Sequence, residues 1–486
     1  MAKPVLWQSC GPVTGGKAKD MANNKTVDVG EVIDSANYFW VPFGITVMMV
    51  IIMLTDGFGL FTTGYIGPLV VKDWHIGRDQ LSWIGYTQMG GMALGSVLLG
   101  WVSDLIGRKK AYFTCLGLLF VGSLLCYSAT NIGQLASFRF VTGLGLGGIT
   151  PLATTLISEW TPKRVRSLIV ACVIVSVPLG GSFASVMAGW LIPAYGWRSM
   201  FLAGAAMPLA LLLLFSFLLP ESPKYLALRP ALHPQLARAL NRLLGTQRFD
   251  GTETFIVVEN AKRSSNWLST IWNSRYWRST LFIWIAFSFN TLVLYIFTNN
   301  LPVLLDSAGQ SAKIASQSLG LFSGGGVVGS IGGAFLMGLW GSRGVGTAAA
   351  FIGAAATAAI GLLLVQGGHS PLALLASCFI GGAMVNGMQS YLYAVSAHSY
   401  PTEIRGAAIG VAQAFSRIGG LLSATVPQVY FKMAPVPPID RFFWFVAGCA
   451  MVTTVSYFLI APHIPATGKP TALVAPPIPG TGELVG

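Results

Sequence analysis

Apolar residues along this chain gather into long continuous runs separated by polar loops, and each run is about the length, roughly 20 residues, that crosses a bilayer as a helix. Six runs lie at about 41–70, 81–101, 112–130, 134–157, 167–191 and 198–219, and a polar stretch from Glu221 to Ser279 follows them. Six more lie at about 280–304, 316–340, 345–366, 371–397, 406–430 and 441–461. The pattern predicts an all-α membrane protein of twelve transmembrane helices in two six-helix pseudo-repeats. A membrane β-barrel would instead show alternating segments of about ten residues.

This layout divides the chain into a polar arm (1–40), a first bundle (41–220), a central loop (221–279), a second bundle (280–461) and a tail (462–486). The arm ends in Tyr38, Phe39 and Trp40, aromatics suited to a membrane interface, and it has no apolar core or cleavage signal. The first apolar run is therefore expected to act as the targeting element. The tail is rich in Pro, Gly, Thr and Ala and reads as disordered. In the central loop, Leu236, Leu240, Leu243 and Leu244 lie among Arg238, Arg242 and Arg248, a pattern for a surface helix against the inner leaflet or the bundle. The loop is either a solvated tether or a regulatory, partner-binding segment.

Composition agrees with a membrane protein: 53% of residues are hydrophobic and only 10% are charged. The net charge of +13 points to topology, not to nucleic acid, because its distribution is uneven. With both ends in the cytoplasm, 22 of the 30 Lys and Arg residues fall in cytoplasmic segments. Six fall outside (Lys72, Arg78, Arg198, Lys313, Lys432 and Arg441), and Arg139 and Arg417 lie within spans. The positive-inside rule thus places both termini in the cytoplasm. The six cysteines lack C-x-x-C spacing and mostly sit in apolar runs, so they read as packing residues.

Asp56 is the one charge in the first apolar run. An acid at that depth costs several kcal/mol unless it faces protein or water, which makes it a candidate proton, ion or substrate site. The bland alternative is a carboxylate capping a helix loosened by Gly57, Gly59, Gly64, Gly67 and Pro68. Arg139 opens a glycine-rich run, Gly143 to Gly148, that lets a neighbouring helix approach. Its guanidinium keeps its proton, so it would stabilise an anion or snorkel to the interface. Asn386 and Gln389, three apart on one helix face, could bind a substrate oxygen or hold helices together. Arg417 is a second anion candidate, and Phe287, Phe289, Tyr295 and Tyr391 are candidate ring-lining residues; Asn299, Asn300, Pro302 and Tyr393 put polar groups on apolar runs, Tyr393 as a further substrate-binding candidate.

Two loops suggest gates. Gly100 to Lys110 reads G-W-V-S-D-L-I-G-R-K-K, in which Asp104 and Arg108 can form a breakable latch at the cytoplasmic rim. Glu159, Pro162 and Arg166 after the fourth run are echoed by Pro401, Glu403 and Arg405 after the tenth, the weak internal symmetry of two parallel repeats. No Walker A, H-E-x-x-H or G-x-S-x-G stretch is present, and the five histidines are scattered. An enzyme, a metal site and a cofactor are not expected, and uphill transport would draw on an ion gradient.

The Gly100–Lys110 loop and the Arg139–Gly147 segment resemble the major facilitator superfamily over all twelve spans. Asp56-Gly57-Phe58, Thr154 to Glu159, Pro193 to Arg198, Pro220-Glu221-Ser222 and Val385-Asn386-Gly387 with Gln389 are similar to the bacterial aromatic acid:proton symporters. The resemblance implies proton-coupled uptake of a benzoate-like acid across a bacterial inner membrane by a monomer, with an aromatic carboxylate, protons and the bilayer as partners and no nucleic acid. It also implies roles for Asp56, Asp104, Arg108, Arg139, Glu159, Arg405 and Arg417. Two departures stand out: Gly59 replaces the second acid of the family's D-G-x-D, and the second copy of the loop motif has Met337-Gly338-Leu339-Trp340 where an Asp is expected. Either Asp56 suffices alone, the coupling ratio differs, or the site is altered. The alternatives are symport of another organic anion, efflux by antiport and a transporter-like sensor; Val177 to Gly181 only partly matches an antiporter signature, which favours uptake.

Overall fold

A computed structural model describes residues 26–36, 40–257, 272, 276–365, 371–400, 402–433, 439–461 and 463–465. The arm before residue 26, Tyr38, Phe39, Pro401 and the tail beyond 465 lie outside these residues, as do the side chains of Glu403 and Arg405.

Among the described residues, twelve helices are long and apolar enough to cross a membrane. The first half contains α1 (Trp40–Trp74), α2 (Ser82–Ile106), α3 (Arg108–Ser128), α4 (Ile132–Trp160), α5 (Lys163–Tyr195) and α6 (Ser199–Leu218). The second contains α7 (Trp277–Ser307), α8 (Ala312–Trp340), α9 (Ser342–Val365), α10 (Pro371–Ser399), α11 (Thr402–Met433) and α12 (Ile439–Leu459). Their packing repeats with an offset of six: α1 on α5 matches α7 on α11, α2 on α4 matches α8 on α10, and α3 on α6 matches α9 on α12. The expected all-α architecture of two six-helix repeats is thus present.

Small residues set these close contacts, as expected where lipid gives helices no hydrophobic reason to associate. A Cβ on Gly143 or Gly147 would collide with the backbone oxygen of Gln88 or Met92, so the glycine run of α4 seats directly on α2. The loops ending α2 and α8 also match: Gly107 (φ 99°) and Gly341 (φ 83°) both take a positive φ that favours glycine.

The halves meet along α1 with α7, α2 with α11, and α5 with α8. Where α1, α7 and α11 end, Lys72 Nζ lies 2.8 Å and Arg78 Nη2 3.4 Å from the Asp306 carboxylate. On the same face, Tyr86 donates to Gln428 Oε1 at 2.8 Å.

The central loop up to residue 257 is folded against the first half. Helix His233–Leu244 buries Leu236, Ala237, Leu240 and Leu243, and the strand Thr254–Ile256 pairs in parallel with Thr26–Asp28 of the arm. The leucine face of the loop therefore packs on protein and not on lipid. Asn241 closes the turn after the helix, accepting from the Arg248 and Phe249 amides and donating to Phe249 O.

Candidate functional site: a cavity between the halves

A cavity of about 140 Å³ lies between the two halves. The first half contributes mainly apolar side chains, including Leu60, Phe61, Met92 and Pro178, with Asp56 and Thr150 as polar exceptions. The second contributes most of the polarity, with Tyr295, Asn386, Gln389, Tyr393, Gln413 and Arg417. Among the described residues, Asp56 is the only acid and Arg417 the only base that line it.

Asp56 sits mid-way along α1 and is 2% exposed. Its Oδ2 accepts from Thr150 Oγ1 at 3.3 Å, while Oδ1 has no hydrogen-bond partner among the described residues. Thr150 precedes Pro151 within α4. Arg417 and Tyr295 line the same chamber from the second half. An acid with one free oxygen, faced by a cation in a largely apolar chamber, can take and release a proton as a second anion comes and goes.

On the opposite wall, Gln389 Oε1 accepts from Asn290 Nδ2 at 2.8 Å, and Asn290 also donates to Val385 O at 3.3 Å. Tyr393 lines the same wall and packs edge-on against Phe287, with ring centroids 5.1 Å apart. Asn386 lines the cavity and donates to Gly382 O at 3.1 Å within its own helix.

Several of the sequence candidates lie apart from this chamber. Arg139 is 2% exposed and does not line it. Its Nη2 donates to Gly59 O at 3.1 Å, to Gln88 Oε1 at 2.9 Å and to Thr63 Oγ1, tying α4 to α1 and α2. Tyr391 is also buried away from the cavity and donates to Gly329 O of α8 at 2.5 Å. Phe287 and Phe289 pack in the core, and Asn299, Asn300 and Pro302 do not line the chamber.

The rim candidates of the first half come together. Arg108 pairs with Asp104 and approaches Glu159 at 3.9 Å, and Glu159 accepts from Ser222 of the central loop. Arg166 donates to Thr161 O at 3.1 Å. The central loop embraces this cluster: Glu221 accepts from the Lys109 amide at 3.1 Å and Arg229 donates to Leu105 O at 3.0 Å. In the second copy, where Gly338 stands in place of the acid, residues 463–464 fill the equivalent place. Ser342 N donates to Ile464 O at 2.9 Å, and Ile464 N donates to Ser342 Oγ at 2.8 Å.

Thr150, Asn290, Gln413 and Ser416 do not stand out in the sequence. Their only signal is a neutral polar residue inside an apolar run, which many helix contacts share.

The Major Facilitator Superfamily profile matches residues 49–424. The chain is 31% identical over 420 residues to a 4-hydroxybenzoate transporter, PcaK, of Acinetobacter baylyi, covering 85% of this chain and 90% of that one. It is 32% identical over 403 residues to a gallate transporter of Pseudomonas putida, covering 82% of this chain and 88% of that one. The xylose transporter XylE of E. coli, in a partially occluded inward-open conformation, superposes with a TM-score of 0.67 at 14% identity, over 87% of this chain and 99% of that one. That likeness concerns the fold.

Proposed function

The chain belongs to the Major Facilitator Superfamily, and on that premise we propose that it takes up an aromatic carboxylate together with protons by alternating access around the central cavity. The single observation that carries this proposal is the placement of Asp56 on one half and Arg417 on the other in the lining of one largely apolar chamber. The relatives named for 4-hydroxybenzoate and gallate transport supply the substrate class.

In this account Asp56 carries the proton, with Oδ1 as its receiving oxygen. Arg417, Gln389, Tyr393 and Asn386 hold the carboxylate and ring substituents, and Tyr295 flanks the ring. With Asp56 ionised the chamber's charges balance; protonating Asp56 alone leaves one positive charge, which an anion bound at Arg417 cancels, and this links proton and substrate in one cycle. Arg139 braces α1 instead of touching substrate, and Tyr391 fixes α10 to α8. The Asp104–Arg108–Glu159 cluster and Arg166 serve as the inner latch, with Glu403 and Arg405 as their counterparts in the second half. The Lys and Arg bias supports cytoplasmic termini, and the relatives support a bacterial inner membrane.

Substrate-driven proton entry into proteoliposomes tests the proposal. Addition of 4-hydroxybenzoate should acidify the lumen, and benzoate or gallate should compete for entry; uptake indifferent to an imposed pH gradient would remove proton coupling.

A further inference from the structure

Among the described residues, charge in the chamber lining comes from α1 and α11, through Asp56 and Arg417, whereas α8 and α10 contribute the neutral polar groups Ser330, Asn386, Gln389, Ser390 and Tyr393. Two of these, Asn386 and Gln389, stand three positions apart on one face of α10. Their amides are turned in opposite senses, and each sense is fixed by a backbone carbonyl, which can only accept.

Asn386 points its NH₂ back along its own helix to Gly382 O at 3.1 Å. Gly326 of α8 makes room for that amide, since a Cβ there would lie 2.8 Å from its Cγ and 3.0 Å from its Nδ2. The Asn386 oxygen is therefore the amide atom left to the chamber, and no described residue donates to it. Gln389 is the reverse. Asn290 donates through its NH₂ to Val385 O at 3.3 Å and to Gln389 Oε1 at 2.8 Å. With that oxygen engaged, Gln389 meets other partners through its NH₂.

The face of α10 thus offers an acceptor beside a donor. A hydroxyl both donates and accepts and so satisfies the two at once, whereas a carboxylate only accepts and would set oxygen against the Asn386 oxygen. We infer that Asn386 and Gln389 read a hydroxyl on the substrate ring while the carboxylate is directed to Arg417, so that the protein selects hydroxylated aromatic acids over alkylated ones of the same size. The inference rests on the aromatic-carboxylate uptake proposed above. A ring substituent that cannot donate covers the Asn386 oxygen and leaves it unpaired.

In the test, proteoliposomes taking up radiolabelled 4-hydroxybenzoate are challenged with 3- and 4-hydroxybenzoate and with the methylbenzoates substituted at the same positions. The wild-type protein should be inhibited at least about tenfold more strongly by the better hydroxybenzoate than by its methyl counterpart. In Asn386→Ala that ratio should fall to about one, and an unchanged Tm separates lost recognition from damage to the fold. A wild-type ratio below about three, or a ratio that Asn386→Ala leaves within about twofold of wild type, would overturn the inference. If Asn386→Ala does not fold, Gln389→Met, which keeps the side-chain length and removes the donor, should lower the same ratio at least about threefold, and an unchanged ratio there overturns it. Failure of the wild-type protein to take up any of these acids would instead overturn the proposed function on which the inference stands.

Discussion

Lys72 of α1 and Asp306 of α7 meet at 2.8 Å and tie the two halves of the protein together on one face. Asp306 is the shared partner, since Arg78 reaches its other oxygen at 3.4 Å. With Lys72 largely exposed, each pair contributes about 1 kcal/mol or less. Asp306→Asn should therefore loosen this face by a modest factor, about two- to fivefold in the population open there. The check is the labelling rate of a cysteine placed at Leu294 in a background with Cys10 and Cys172 replaced by serine. Faster labelling from that side is expected, and an unchanged rate would show that Asp306 does not hold the face closed.

Arg139 donates to three acceptors on α1 and α2 and has no salt-bridge carboxylate among the described residues. Arg139→Met should cost about 2 kcal/mol of stability and lower the Tm, while KM for substrate changes little. A large rise in KM with unchanged Tm would return Arg139 to the substrate site.

Gly59 contributes its carbonyl to that same guanidinium, and a Cβ there would approach only the end of the Leu146 side chain, at 3.2 Å. Gly59→Asp should supply a counter-charge and raise the Tm in the wild-type background but not in Arg139→Met. Equal effects in both backgrounds would mean that the new carboxylate does not pair with Arg139.

His463 is held against Ser342, and burial together with nearby Arg343 lowers its pKa from 6.5 to about 4. Released, it would bind a proton below about pH 6.5 that it refuses when attached. Attachment is thus fully favoured above pH 6.5 and weakens as pH falls toward 4. Hydrogen exchange across residues 463–465, corrected for intrinsic rates, should lose protection between pH 7 and 5. His463→Gln should flatten that dependence; a wild-type protein already flat over this range contradicts the account.

The spans were legible because the bilayer imposes length and apolarity on each helix, and Asp56 and Arg417 were legible because charges inside such runs are costly. Where α4 points its side chains is a different matter. It depends on how the glycines of α4 seat on α2, and that packing turns Arg139 toward Gly59, Thr63 and Gln88 and away from the cavity. Asn290 and Thr150 gave almost no signal, since a neutral polar residue in an apolar helix reveals nothing about its partner. The pairing of Thr26–Asp28 with Thr254–Ile256 was equally hidden, because three-residue strands far apart in sequence carry no readable periodicity.

The central claim is that Asp56 couples protons to the movement of an aromatic carboxylate, and Asp56→Asn separates coupling from carriage. In proteoliposomes, wild-type protein should accumulate radiolabelled 4-hydroxybenzoate against its gradient when the outside is acidic. Asp56→Asn should lose that accumulation while still exchanging internal for external substrate. Full pH-driven accumulation by Asp56→Asn would contradict the account.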